Sequence, residues 1–200
     1  EQAVGEQFRN AVGNARSQSQ GALAVATLHR IDQGLTQLKY LVGVAQCRAT
    51  GLADHQARAA DGDEVHLLAG VHRAQVGVIL QRRLTLRGVG GQAVLQADGA
   101  HAEGKAILVV RDGDVRIEDL EFRGARVPDQ NGAGIRFEKG RLLVRRCSFV
   151  DNENGILTAN FADAELTVED SRFSEAPSSS RLPHLLYVGA IARFSLSNSH

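Results

Sequence analysis

Apolar positions fall in short alternating stretches from residue 64 onward, and the same stretch recurs. Leu84-Thr-Leu-Arg-Gly-Val89, Val115-Arg-Ile-Glu-Asp-Leu-Glu-Phe122, Leu142-Leu-Val-Arg-Arg-Cys-Ser-Phe149 and Leu166-Thr-Val-Glu-Asp-Ser-Arg-Phe173 are successive copies, and Phe194-Ser-Leu-Ser-Asn-Ser199 begins another. Their equivalent inner positions, Leu86, Ile117, Val144, Val168 and Leu196, are separated by 31, 27, 24 and 28 residues. A second apolar motif precedes most copies: Ala106–Val109, Gly134–Phe137, Gly155–Thr158 and Leu186–Val188. Period-two alternation marks strands, and self-similarity at this period marks a repeat architecture. The chain before residue 47 differs. Leu28, Ile31, Leu35, Leu38 and Val42 have helical spacing and predict an amphipathic helix over about 27–45. Residues 51–60 predict a short helix that ends at Asp61-Gly62.

Two strands, a bend, a third strand and a loop describe one coil of a parallel β-helix. A single coil cannot bury its inward side chains, whereas coils stacked at ~4.8 Å form parallel sheets around a shared core. Like then stacks on like. One predicted inner column is Phe122, Phe149 and Phe173, and another is Leu120, Cys147 and Ser171, with Cys147 a small buried hydrophobe. Gly88, Asp119, Arg146, Asp170 and Asn198 share the bend, where a left-handed backbone suits Gly, Asn and Asp and leaves Arg146 the misfit. A βαβ fold would need 10–15-residue helical patterns between strands, and none follows residue 61. The expected organisation is an N-terminal extension over 1–46, helical or irregular, and an all-β right-handed parallel β-helix over 47–200 with a capping helix near 51–60. About five coils are expected. The last motif stops at His200 within a coil, so an incomplete C-terminal coil with an exposed edge, on a monomer, is expected.

Composition narrows the function. Lys plus Arg and Asp plus Glu number 23 each, which argues against a nucleic-acid partner or a polybasic membrane binder. No apolar run approaches the ~18 residues of a membrane span. Cys47 and Cys147 are too few for a disulfide framework or a zinc site. The 21 glycines exceed the usual ~7% and fit many tight turns. The chain has no Met, so its first residue is not expected to be the translation start. Gly88–Gly91 and Asn131–Gly134 are Gly-rich, but neither opens a helix after a strand, as a phosphate loop would.

Candidate chemistry sits on the strand before each repeat motif. Ile107, Ile135, Ile156 and Leu186 align as inward, which places Leu108, Arg136, Leu157 and Tyr187 in an outward column. Lys105, Ala133, Asn154 and His184 lie just before it, and the loop 124–132, with Asp129, flanks it. Arg136 and Lys105 could neutralise a carboxylate; His184 and Tyr187 could move a proton or stack on a sugar. Leu108, Leu157, Asn154 and Asp129 are the candidate substrate-binding residues. Asp151-Asn-Glu-Asn154 is the densest acidic and amide cluster, and Asp151 and Glu153 could ligate Ca²⁺. The amides there could equally satisfy loop backbone groups.

GLADHQARAADGDEVHLLAGVHR, LTLRGVGG, ARVPDQNGAGIRFE, RRCSFVDNENGIL and HLLYVG together resemble the right-handed parallel β-helix proteins of the pectin-lyase-like superfamily, in particular a bacterial β-helix repeat subgroup. The resemblance covers residues 51–200, with His72 where an aromatic is usual. It implies a secreted, periplasmic or cell-surface protein that acts on or binds a polysaccharide, an acidic one for the lyase-like and epimerase-like members. It also implies substrate lying along the sheet that carries Arg136, and Ca²⁺ in some members. Non-catalytic scaffold and adhesion modules share the fold. No paired-Asp hydrolase motif and no Asp-Pro-His epimerase motif is present.

Overall fold

The computed structural model describes residues 37–41, 46–48, 52, 58–174 and 183–200. Strands β1 (Gln37–Leu41) and β2 (Gln46–Arg48) pair antiparallel. The first coil holds β3 (Glu64–Arg73) and β4 (Gly77–Ile79), and the second holds β5 (Arg83–Gln96) and β6 (Ala106–Val110). The third has β7 (Asp114–Glu118), β8 (Leu120–Arg123) and β9 (Ala133–Phe137); the fourth has β10 (Arg141–Arg145), β11 (Ser148–Val150) and β12 (Asn154–Thr158). The fifth has β13 (Glu165–Glu169), β14 (Arg172–Ser174) and β15 (His184–Tyr187), and β16 (Arg193–Ser197) follows. Every pairing between coils is parallel. The fold is a right-handed parallel β-helix. Its third face is a five-stranded sheet in the order β15-β12-β9-β6-β4, so four full turns separate β4 from β15. The long β3 and β5 each run through two faces, which joins the other two into one sheet.

Of the segment 27–45, assigned a helix by its apolar spacing, the described residues 37–41 are strand instead. β1 runs antiparallel along β3, whose row of backbone groups has no other neighbour on that side among the described residues. The other residues of that helix, and all but Leu52 and residues 58–60 of the predicted capping helix, lie outside the described residues. Among the described residues no helix is long and apolar enough to cross a membrane.

The core is built of columns. Val65, Leu86, Ile117, Val144 and Val168 pair rung by rung and are fully buried. Leu196 continues the column on β16 but is 48% exposed. On the second face Leu95, Phe122, Phe149 and Phe173 are in register. Phe122 and Phe149 stack at a ring-centroid distance of 5.2 Å, and Phe149 and Phe173 at 4.8 Å. The rings therefore keep the rung spacing of the backbone. Leu120, Cys147 and Ser171 are likewise buried, and burial pushes the Cys147 thiol up to about 12. A thiol held protonated there is an inert packing group.

The bend column is left-handed at Asp119, Arg146, Asp170 and Asn198, with φ of 58°, 51°, 49° and 47°. Arg146 accepts this strain because its guanidinium grips the bend below: Nε donates to Asp119 Oδ1 at 2.6 Å and a terminal nitrogen to Oδ2 at 2.7 Å. That grip holds the Asp119 carboxyl below the usual carboxylate range. Gly88 differs, since its φ is not left-handed. A Cβ there would lie 2.0 Å from the Asp119 carbonyl oxygen, so close approach of the next coil demands glycine.

His72 occupies an inward position and is buried. It donates Nε2–H to the Leu68 carbonyl oxygen at 2.8 Å. Burial lowers its pKa, and the backbone hydrogen bond only partly opposes this. The neutral ring is thus the folded form. Its contribution to stability is complete above the unfolded value near 6.5 and is lost as pH falls through the lower folded value. We expect wild-type unfolding midpoints in urea to drop below pH 6.5 more steeply than those of His72→Phe; equal slopes would refute this role.

Candidate functional site

The third face carries the candidate site. Register aligns Val109, Arg136, Leu157 and Tyr187 in one outward column, and Ala106, Ala133, Asn154 and His184 in another. Arg136, Leu157, Tyr187, Asn154 and His184 line one recess of about 360 Å³, a volume at the lower end of the range for ligand sites. Asn131, Thr158 and Asn160, which sequence reasoning did not single out, line it too. Thr158 carried a signal: it pairs with Phe137 in an inward column, where a polar residue needs a partner. That partner is the Gly189 N–H, which donates to Thr158 Oγ1 at 2.7 Å. The Ala190 N–H donates to Asn160 Oδ1 at 2.8 Å. These two bonds tie the segment after β15 to the coil below and shape the recess wall. A Cβ at Gly189 would sit 2.1 Å from Asn160 Oδ1, so a larger residue there would displace the Asn160 side chain.

Leu108 is corrected. It pairs with Ile135 and lies wholly in the core, and Val109 takes the outward place that had been given to Leu108. Ala106–Val110 is apolar throughout, so alternation could not set its phase; hydrogen-bond register did. Lys105 does not line the recess. Its ammonium binds Glu138 at 2.8 Å. Asp129 is exposed and also outside the recess, although Asn131, two residues on, reaches it.

Asp151 and Glu153 are engaged in fastening the loop 124–132. Arg126 pairs with Asp151 at 2.7 Å. One Glu153 oxygen accepts from the Gly132 N–H at 2.6 Å and the Val127 N–H at 3.1 Å. Asn152 does the same inside the coil, accepting from the Ala125 N–H and donating to the Phe122 carbonyl oxygen, both at 2.9 Å. A guanidinium already neutralises Asp151, and among the described residues no three His, Cys, Asp or Glu side chains gather to hold a metal. This donor set does not fit the Ca²⁺ site expected of Asp151 and Glu153, and no step is derived through a metal.

The decisive group is Arg136. Its Nε is buried without a hydrogen-bond partner. Arg87 and Arg145 also have a buried, unpartnered Nε, but their terminal nitrogens each reach a carboxylate at 2.9 Å. Arg136 has no carboxylate within ion-pair distance among the described residues. A buried donor left unmade costs about 1–3 kcal/mol. His184 and Tyr187 stand two rungs away on β15, with ring centroids 5.3 Å apart and planes at 75°.

No family model, curated protein or solved structure matches this chain.

Chemically, the recess offers one uncompensated planar cation, amide groups from Asn131 and Asn154, and an aromatic wall from Tyr187, which is 43% exposed. A guanidinium matches a carboxylate with two parallel hydrogen bonds, while amides and an aromatic ring suit hydroxyl-bearing, partly apolar ligands.

Proposed function

We propose that this protein is a carbohydrate-binding β-helix that recognises an acidic polysaccharide through a sugar carboxylate. The observation that carries the reading is the unpaired Arg136 guanidinium in a recess walled by Tyr187, His184 and asparagines. A uronate carboxylate would supply the missing acceptor, and the sugar ring would lie against Tyr187. The resemblance of residues 51–200 to pectin-lyase-like β-helices supports a polysaccharide ligand and a secreted, periplasmic or cell-surface setting. The same residues are those a uronate eliminase would use. Arg136 would neutralise the carboxylate while His184 or Tyr187 removed the proton next to it, and the glycosidic oxygen would leave as the ring double bond formed.

Affinity electrophoresis in polygalacturonate and in a neutral polymer tests the reading. Wild type is expected to be retarded only by the acidic polymer. Arg136→Ala is expected to bind it roughly 10- to 100-fold more weakly, the scale of one lost charged hydrogen-bond pair. Equal retardation of Arg136→Ala and wild type would overturn the proposal. Ultraviolet absorbance of unsaturated products in the same mixtures separates an eliminase from a binder.

A further inference from the structure

The outward columns of the third face change character along the solenoid. From β4 to β15 one column reads Val78, Val109, Arg136, Leu157, Tyr187. The neighbouring column reads Ala106, Ala133, Asn154, His184. At β6 the outward side chains are not free surface, because Val109 and Ala106 are as buried as the core. They form a separate apolar cluster with Ala102 and Ala133, against which Val78 and Leu157 pack. The loop 97–105 contributes Ala102 to this roof through a tight turn that sets its backbone beside Ala106 in the sheet. Its backbone exchanges hydrogen bonds with Ala106 at 2.7 and 3.4 Å.

Ion pairs fasten this roof. Glu103, in the loop, pairs with Arg111, which also pairs with Glu138 at the end of β9. Lys105 binds the same Glu138 at 2.8 Å. For Glu138, burial opposes ionisation, but the hydrogen bonds from Lys105 and Arg111 outweigh it and hold the carboxyl below its usual range. The clamp therefore stays ionised at neutral pH. On the opposite side of the recess Tyr187, outward on β15, is 43% exposed.

We infer that the recess is dead-ended at the roof and takes the terminal carboxylated residue of an acidic chain, not a stretch from its interior. The inference rests on the acidic-glycan reading above. A polymer laid across the strands can occupy β9, β12 and β15, about 10 Å at the rung spacing, but the outward side chains of β6 are already covered. Arg136 stands on the last open rung before the roof, so the carboxylate it binds belongs to the residue at the chain end.

Titration calorimetry with galacturonate oligomers of increasing length tests this on the whole protein. One protein is expected to bind per chain at every length. Capping one chain end, either by reductive amination at the reducing end or by blocking the other terminus, is expected to weaken binding at least tenfold, and capping the opposite end to leave it unchanged. A number of bound proteins that rises with chain length, or affinity indifferent to both caps, would overturn end recognition and leave the acidic-glycan reading standing. No binding to any acidic oligomer would remove both.

Discussion

Phe149→Ala is expected to lower the unfolding free energy by about 3–5 kcal/mol, the range for deleting a buried Phe side chain. The ring lies between Phe122 and Phe173 with near-parallel planes, 9° and 6° from its neighbours. It also fills space against the third face, where a Cβ on Gly134 would come within 2.8 Å of Phe149 Cδ1. Collapse cannot fill the resulting cavity, because hydrogen bonds hold β8, β11 and β14 at fixed rung spacing. Each coil depends on its neighbours, so the loss weakens two interfaces at once. Phe149→Leu keeps most of the volume and is expected to cost clearly less. Phe161, 45% exposed, is the control, and Phe161→Ala should stay within about 0.5 kcal/mol of wild type. Urea unfolding followed by circular dichroism measures all three. A loss below about 1 kcal/mol for Phe149→Ala would show that the ring stack is not a principal source of stability.

Glu118→Ala is expected to cost about 1–3 kcal/mol, because it removes a buried carboxylate that accepts charged hydrogen bonds from guanidiniums that still reach solvent. Glu118 is 1% exposed, and its carboxylate meets Arg87 and Arg145 at 2.9 Å and Arg146 at 3.4 Å. Register makes the reason plain: His66, Arg87, Glu118, Arg145 and Glu169 form one column, so Glu118 lies between two cations on adjacent rungs. Arg87 retains Glu64 at 3.1 Å and Arg146 retains Asp119, but Arg145 loses its carboxylate. Like charges then face each other across the gap. Glu118→Gln preserves shape and some hydrogen bonding and is expected to fall between wild type and Glu118→Ala. Thermal melts at low and high salt check the origin. The carboxylate is buried and its contacts are direct, so most of the difference between Glu118→Ala and wild type should persist at 1 M salt. A difference abolished by salt would place the effect in exposed electrostatics instead.

Much of the interior was legible in the chain, because stacking like on like repeats itself in the sequence. The Phe122–Phe149–Phe173 stack, the inward aliphatic column and the bend at Asp119, Arg146, Asp170 and Asn198 all follow from the phase of one recurring motif. Arg136, Asn154, Leu157, His184 and Tyr187 were placed together for the same reason, since Gly-Ile-Arg, Gly-Ile-Leu and Leu-Leu-Tyr mark their phase. Phase failed where the pattern is silent. The apolar run Ala106–Val110 gave no alternation, so Leu108 was assigned to the wrong side. Lys105 looked available because its partner Glu138 lies 33 residues away.

The sequence by itself determined the coil, its inward columns and the face on which polar side chains collect, because each depends on a period that the chain carries locally. Tertiary structure alone decided which charges are spent and which remain. Asp151, Glu153 and Lys105 are taken up by partners in the same or adjacent coils, while Arg136 keeps an unpartnered Nε in the recess. It alone showed that Ala106 and Val109, outward by register, are buried in a cluster with Ala102 of the loop 97–105. The physical reason is that ion pairing and loop closure join residues distant in sequence, and their distance and register are set only when the coils stack.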